Sequence, residues 1–136
     1  WLDHYGYRWM LHRPNPDMFS KQGVCISTAA GAGTKWTNKD MADSMFFWGM
    51  GKIYRYGTAV HAINYKSISP EKMAEIEKAT DKLAEKIRKN YGHVKPVLKT
   101  KTYFEVMRKL VKSGWNEVDV AYWKEHGWTE KARPWR

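Results

Sequence analysis

The sequence side chains of Met73, Ile76, Thr80, Leu83 and Ile87 recur every three or four positions, the period of one helical face. This stretch opens on Ser69 as N-cap and Pro70 at the first helical position. Glu71, Glu75 and Glu77 come early on its other side and Lys82, Lys86, Arg88 and Lys89 late, the order a helix dipole favours. Upstream the period shortens twice, and Gln22–Thr28 and Tyr56–Asn64 read as strands. The first has apolar neighbours on both sides, as when both faces of a parallel sheet are covered. Between them Lys39–Gly49 reads as a helix with Met41, Met45 and Trp48 on one face, started by the capping-box-like Thr37-Asn38-Lys39-Asp40. Leu2–His12 reads as an aromatic-rich helix stopped by Pro14 and Pro16. Thr102–Lys112 and Val118–His126 read as two shorter helices before a Trp-containing tail. Helix-strand-helix-strand-helix is half of an α/β fold, since two strands and their helix cannot bury their own faces and edges.

The segment Gly23-Val24-Cys25-Ile26-Ser27-Thr28-Ala29-Ala30-Gly31-Ala32-Gly33-Thr34 changes this picture from fold to chemistry. A short buried strand stops at a loop of Thr, Ala and Gly, and a helix follows. In open α/β sheets that arrangement presents backbone to a ligand at the carboxyl end of a strand. Side chains this small let a flat or charged group approach the main chain, whose N–H groups then act as donors. A tight structural turn without a ligand has the same composition.

Length and composition set the outer limits. A chain of 136 residues with 43% hydrophobic residues makes one ordered domain, and no run of 18 apolar residues spans a membrane. No signal peptide is expected at Trp1-Leu2-Asp3-His4-Tyr5, and the single Cys25 implies a reducing, cytoplasmic setting. Residue 1 already reads as lying inside a helix, which implies a chain cut from something longer. A net charge of +10 with eight Trp and eight Tyr raises an alternative: a basic, aromatic-rich nucleic-acid-binding or protein-interaction module without catalysis. Against nucleic acid, the basic residues are interleaved with Glu along amphipathic helices, the pattern of a solvated face. An oligonucleotide shift that weakens with salt separates that alternative from a yellow, flavin-bearing protein.

His12-Arg13-Pro14, a strand ending Ser27-Thr28-Ala29-Ala30-Gly31-Ala32-Gly33, then Phe47-Trp48-Gly49, a Gly-containing strand and a long charged helix follow one another in an order that resembles the NAD(P)H-dependent FMN reductase family of flavodoxin-like proteins. Phe104-Glu105-Val106-Met107-Arg108 through Tyr122-Trp123-Lys124-Glu125-His126-Gly127-Trp128 resembles the extra helical tail of one bacterial branch. The resemblance implies an α/β, flavodoxin-like three-layer sandwich around a parallel sheet. It covers the carboxyl-terminal part only, residues 1–92, with a helical extension at 93–136. The last two of five strands are then present, and the first three, with the loop that holds the flavin phosphate, are not. It further implies an FMN-dependent NAD(P)H oxidoreductase, with the backbone of Thr28, Ala29, Ala30, Gly31, Ala32 and Gly33 against the flavin ring. The cofactors FMN and NAD(P)H carry the chemistry, and the protein orients them. Without the phosphate loop, this chain alone is expected to bind FMN weakly or not at all.

Other chemistry-bearing residues take plainer roles. His12 and Arg13 suit a helix C-terminus. His61 reads as a half-buried, hydrogen-bonded strand histidine, and Cys25 as an inert core thiol. Lys35 and Trp36 stand at the rim of the loop. His4, His93 and His126 are too scattered for a metal site. Trp1, Tyr5 and Trp9 recur at a spacing of four, and Tyr103, Phe104, Trp115, Tyr122, Trp123, Trp128 and Trp135 add aromatic surface. So much of it points to a homodimer or other homo-oligomer.

Overall fold

A computed structural model describes residues 2–136. Its strands β1 (Gln22–Ala29) and β2 (Lys52–Ala59) pair in parallel, from Gln22 against Lys52 to Ala29 against Ala59. Helix α1 (Thr34–Phe47) joins them. Side chains alternate across a strand, so this register places Gly23, Cys25 and Ser27 on one face with Ile53, Arg55 and Gly57. That face meets α1: Cys25 Sγ lies 3.6 Å from Met45 Sδ, and Asn38 Nδ2 donates to the Tyr56 carbonyl at 2.9 Å. The other face meets the end of α2 (Pro70–Asn90). There Gln22 Nε2 donates to the Ile87 carbonyl at 3.1 Å, and the Tyr54 hydroxyl to Gln22 Oε1 at 2.8 Å. The fold is α/β, with a helix on each side of a two-stranded parallel sheet.

Several boundaries differ from the pattern. Residues Leu2–Arg8 form a 3-10 helix rather than a longer α-helix reaching His12, and Trp1 lies outside the described residues. Helix α1 starts at Thr34, not after Thr37, because Gly33 turns the chain in the left-handed region at φ 104°. The Thr37 hydroxyl consequently bonds back to the Gly33 carbonyl at 3.3 Å and caps nothing. The inward stripe of α1 is Asn38, Ala42 and Met45, so a polar residue sits where Met41 and Trp48 were expected to define an apolar face. Strand β2 begins four residues before Tyr56 and ends at Ala59, well short of Asn64. His61 at φ 50° breaks the extended backbone there.

Helix α2 starts as its sequence dictates, with Ser69 Oγ accepting from the Lys72 N–H at 3.2 Å. Helices α3 (Leu98–Lys112) and α4 (Glu117–Glu125) follow, and Asn116 caps α4 by accepting from Val118 and Asp119 at 3.0 and 3.1 Å. The core sits against these last helices rather than against the sheet. Met10 and Phe19 from the start of the chain are fully buried together with Phe104, Val111 and Trp123, and Trp128 closes the cluster. The Phe104 and Trp123 rings stack at 4.7 Å, and Phe19 meets Phe104 edge-on at 5.6 Å. Residues from both sides of position 92 therefore build one apolar cluster.

Candidate functional site

Parallel pairing sends β1 and β2 out at the same edge, and the segment of small residues emerges there. Thr28 and Ala29 are the last residues of β1, paired with Thr58 and Ala59, so they belong to the strand and not to the loop. Beyond them Ala30, Gly31, Ala32 and Gly33 are all exposed. Two bonds hold the base of this loop: Val60 N–H donates to the Ala29 carbonyl at 2.9 Å and His61 N–H to the Ala30 carbonyl at 3.0 Å. Ala30, Gly31, Ala32 and Gly33 donate no backbone hydrogen bond to the described residues. Above Gly31 there is open space, since a Cβ built there meets nothing within 4 Å.

The helix entered from this loop, like α3 and unlike α2 and α4, begins without a capping side chain or a carboxylate in its first turn. Its N-cap is Gly33, and its first turn carries Lys35. The positive end of α1 thus has neither a side-chain cap nor a first-turn carboxylate among the described residues. Ser27 Oγ donates to the Thr34 carbonyl at 3.3 Å and ties the first turn to the end of β1. Gly57 of β2 lets α1 approach closely, because a Cβ there would lie 2.7 Å from the Thr34 side chain.

Around the loop stand Trp36, 66% exposed, and Lys35, whose Nζ lies 5.7 Å from the Trp36 ring centre. His61, expected inside a strand, is exposed beyond the strand end in a backbone conformation uncommon for residues other than glycine. Arg55 and the buried Asn38 flank a cleft beside the first turns of α1. Neither residue is singled out by local sequence. The usable signal for Arg55 is parity, since it shares the helix-covered face with Cys25, where a charge is unexpected.

His12 and Arg13 are elsewhere. They clasp Asp119 of α4, with His12 Nδ1 at 2.8 Å and Arg13 Nε at 3.4 Å from its carboxylate. Trp123 Nε1 donates to the His12 carbonyl at 2.6 Å and the Tyr122 hydroxyl to the Pro14 carbonyl at 2.7 Å. Their role is to latch the start of the chain to α4, not to terminate a helix. Cys25 is 1% exposed, and burial pushes its thiol pKa up, partly opposed by Arg55. Of the tail aromatics, Phe104, Trp123 and Trp128 are core, Tyr103, Tyr122 and Trp135 pack against them, and Trp115 stays 47% exposed. All of these but Trp115 are packed within this chain.

Among the described residues no group of three His, Cys, Asp or Glu side chains is placed to hold a metal ion, and no helix is long and apolar enough to cross a membrane. No family model matches the sequence, and no curated protein or solved structure shows significant similarity to it.

Proposed function

We propose that this chain is the carboxyl-terminal part of a flavodoxin-like, FMN-dependent NAD(P)H oxidoreductase, with the Thr28–Gly33 backbone at the flavin ring. The observation that carries the reading is the exposed, small-residue loop, Ala30 to Gly33, at the carboxyl edge of two parallel strands, whose N–H groups bond to nothing among the described residues. The donor set fits the ring: N–H groups beside the electron-rich carbonyl edge of a flavin favour the negative charge that develops there on reduction. FMN, when bound, supplies the two-electron carrier. The chain's part is to orient. Gly31 leaves the face of the loop open for a planar group, and Gly33 aims the first turn of α1 at the same space. Lys35 adds positive charge near an anionic nucleotide. Trp36, Ile63 and Tyr65, between 66% and 100% exposed, belong to the segments leaving this edge of the sheet, and give a second copy an apolar contact. Light scattering that shows only a 16.0 kDa species removes the second copy from the proposal.

Anaerobic addition of NADH or NADPH, with FMN, to the whole protein of which this chain is proposed to be a part tests the activity. Loss of the flavin's visible absorbance at a rate above that of free FMN is the expected result. A rate equal to that of free FMN overturns the assignment.

A further inference from the structure

We propose that the outer side of α3 holds an amphipathic helix with acidic flanks, supplied by a partner protein. Two hollows meet there. One is a groove of about 660 Å³ between the end of α1 and α3, lined by Phe46, Phe47, Leu98, Thr102, Tyr103 and Val106. The other, about 510 Å³, carries Lys95, Lys101 and Arg136. Leu98 and Thr102 line both, so an apolar surface and a basic one share a wall. Neither hollow includes the Gly33 loop, and the partner helix owes nothing to the flavin reading.

The core accounts for only one side of α3. Phe104 and Val111 are buried in the aromatic cluster. Leu98, Val106 and Leu110 stand apart by multiples of four residues on another side, and they remain between 40% and 79% exposed. With Thr102 they form a row about 18 Å long at the helical rise per residue. A row of that length beside an apolar trough is how one helix receives the side-chain ridge of another.

Charge decides which kind of helix. Glu105 is the one carboxylate side chain lining either hollow, and Arg108 and Arg133 already hold it. Lys95, Lys99, Lys101 and Arg136 form no ion pair among the described residues. Lys99 Nζ lies 4.3 Å from the centre of the Phe46 ring, at the apolar groove itself. An apolar trough bordered by unpaired cations is complementary to an apolar stripe flanked by Asp or Glu. A second copy meets that need poorly, because two α3 helices laid together set Lys99, Lys101 and Lys109 of each against the same lysines of the other. An anionic bilayer would attract the lysines but offers a flat face, with no ridge to fill the groove.

Fluorescence anisotropy of the whole protein with a labelled helical peptide of about four turns tests this. The peptide has Leu at spacings of three and four and Glu on its flanks; the controls are the same residues scrambled and a Lys-flanked version. The ordered acidic peptide should bind about tenfold tighter than either control, and more weakly as salt rises. Val106→Glu, and Lys95→Glu combined with Lys101→Glu, should each weaken it about tenfold or more with the unfolding midpoint unchanged. Should Val106→Glu fail to fold, the lysine variant and the peptide controls decide. Equal binding of a control peptide, or an affinity that a folded variant leaves unchanged, overturns the proposal. So does a dimer in light scattering that Val106→Glu dissociates, which gives this face to a second copy. Binding to phosphatidylserine vesicles without binding to the peptide overturns it too, and gives the face to a membrane.

Discussion

The aromatic cluster and the carboxyl edge of the sheet are built on opposite terms. In the cluster Met10, Phe19, Phe104, Val111 and Trp123 show no exposure at all, and each ring meets others at 4.7 to 6.5 Å. At the sheet edge Ala30 through Gly33 are exposed, two residues sit at positive φ, and Lys35 and Arg55 form no ion pair among the described residues. Every preference of the chain is met in the first region and several are left unmet in the second. The contrast teaches where stability resides: free donors and unpaired charge at the sheet edge are tolerable because packing elsewhere holds the fold.

The comparison breaks first at Phe104. Truncation to Ala opens a cavity in the cluster and should cost about 3–5 kcal/mol, read from the denaturant midpoint. A loss as small as that of a surface substitution would move the centre of stability away from these helices. The latch comes next. Asp119 is 2% exposed and accepts from His12, so Asp119→Asn should cost about 1.5–3 kcal/mol by the same measurement. A neutral result would mean the start of the chain is held by Met10, Phe19 and the bonds from Tyr122 and Trp123 without help from Asp119.

A smaller effect comes with alkali. Burial raises the pKa of Cys25 above its ordinary 9.0, and those of Tyr103 and Tyr122 above 10.0. The folded state then holds protons that the unfolded chain has released, so stability is complete below pH 9 and falls as pH rises through these values. Denaturant midpoints across that range check the sign, and a rise in stability above pH 10 would contradict it.

Local signals were legible where the residues that decide an element lie within it. Ser69 and Pro70 mark the start of α2 with no help from the rest of the chain, and the small-residue run marks the edge of β1. The start of α1 was hidden because Gly33 in the left-handed region leaves no side-chain signature, while Thr37 offers a plausible but unused cap. The end of β2 was hidden because Val60, His61 and Ile63 continue a strand-like pattern through a turn. The latch was out of reach for another reason: His12 and Asp119 are 107 residues apart, and no local period links them. Arg55 and Asn38 likewise acquire their place only when β2 and α1 are laid together.

The central claim is that the open edge binds and the cluster stabilises, and Gly31→Leu tests it directly. Gly31 is not at positive φ and has open space above it, so the substitution spares the fold, whereas any change at Gly33 would add backbone strain. Titration of the whole protein with FMN, alongside the denaturant midpoint, should show affinity weakened about tenfold or more, about 1.4 kcal/mol, with the midpoint unchanged. Equal FMN affinity in the parent and in Gly31→Leu would contradict the account.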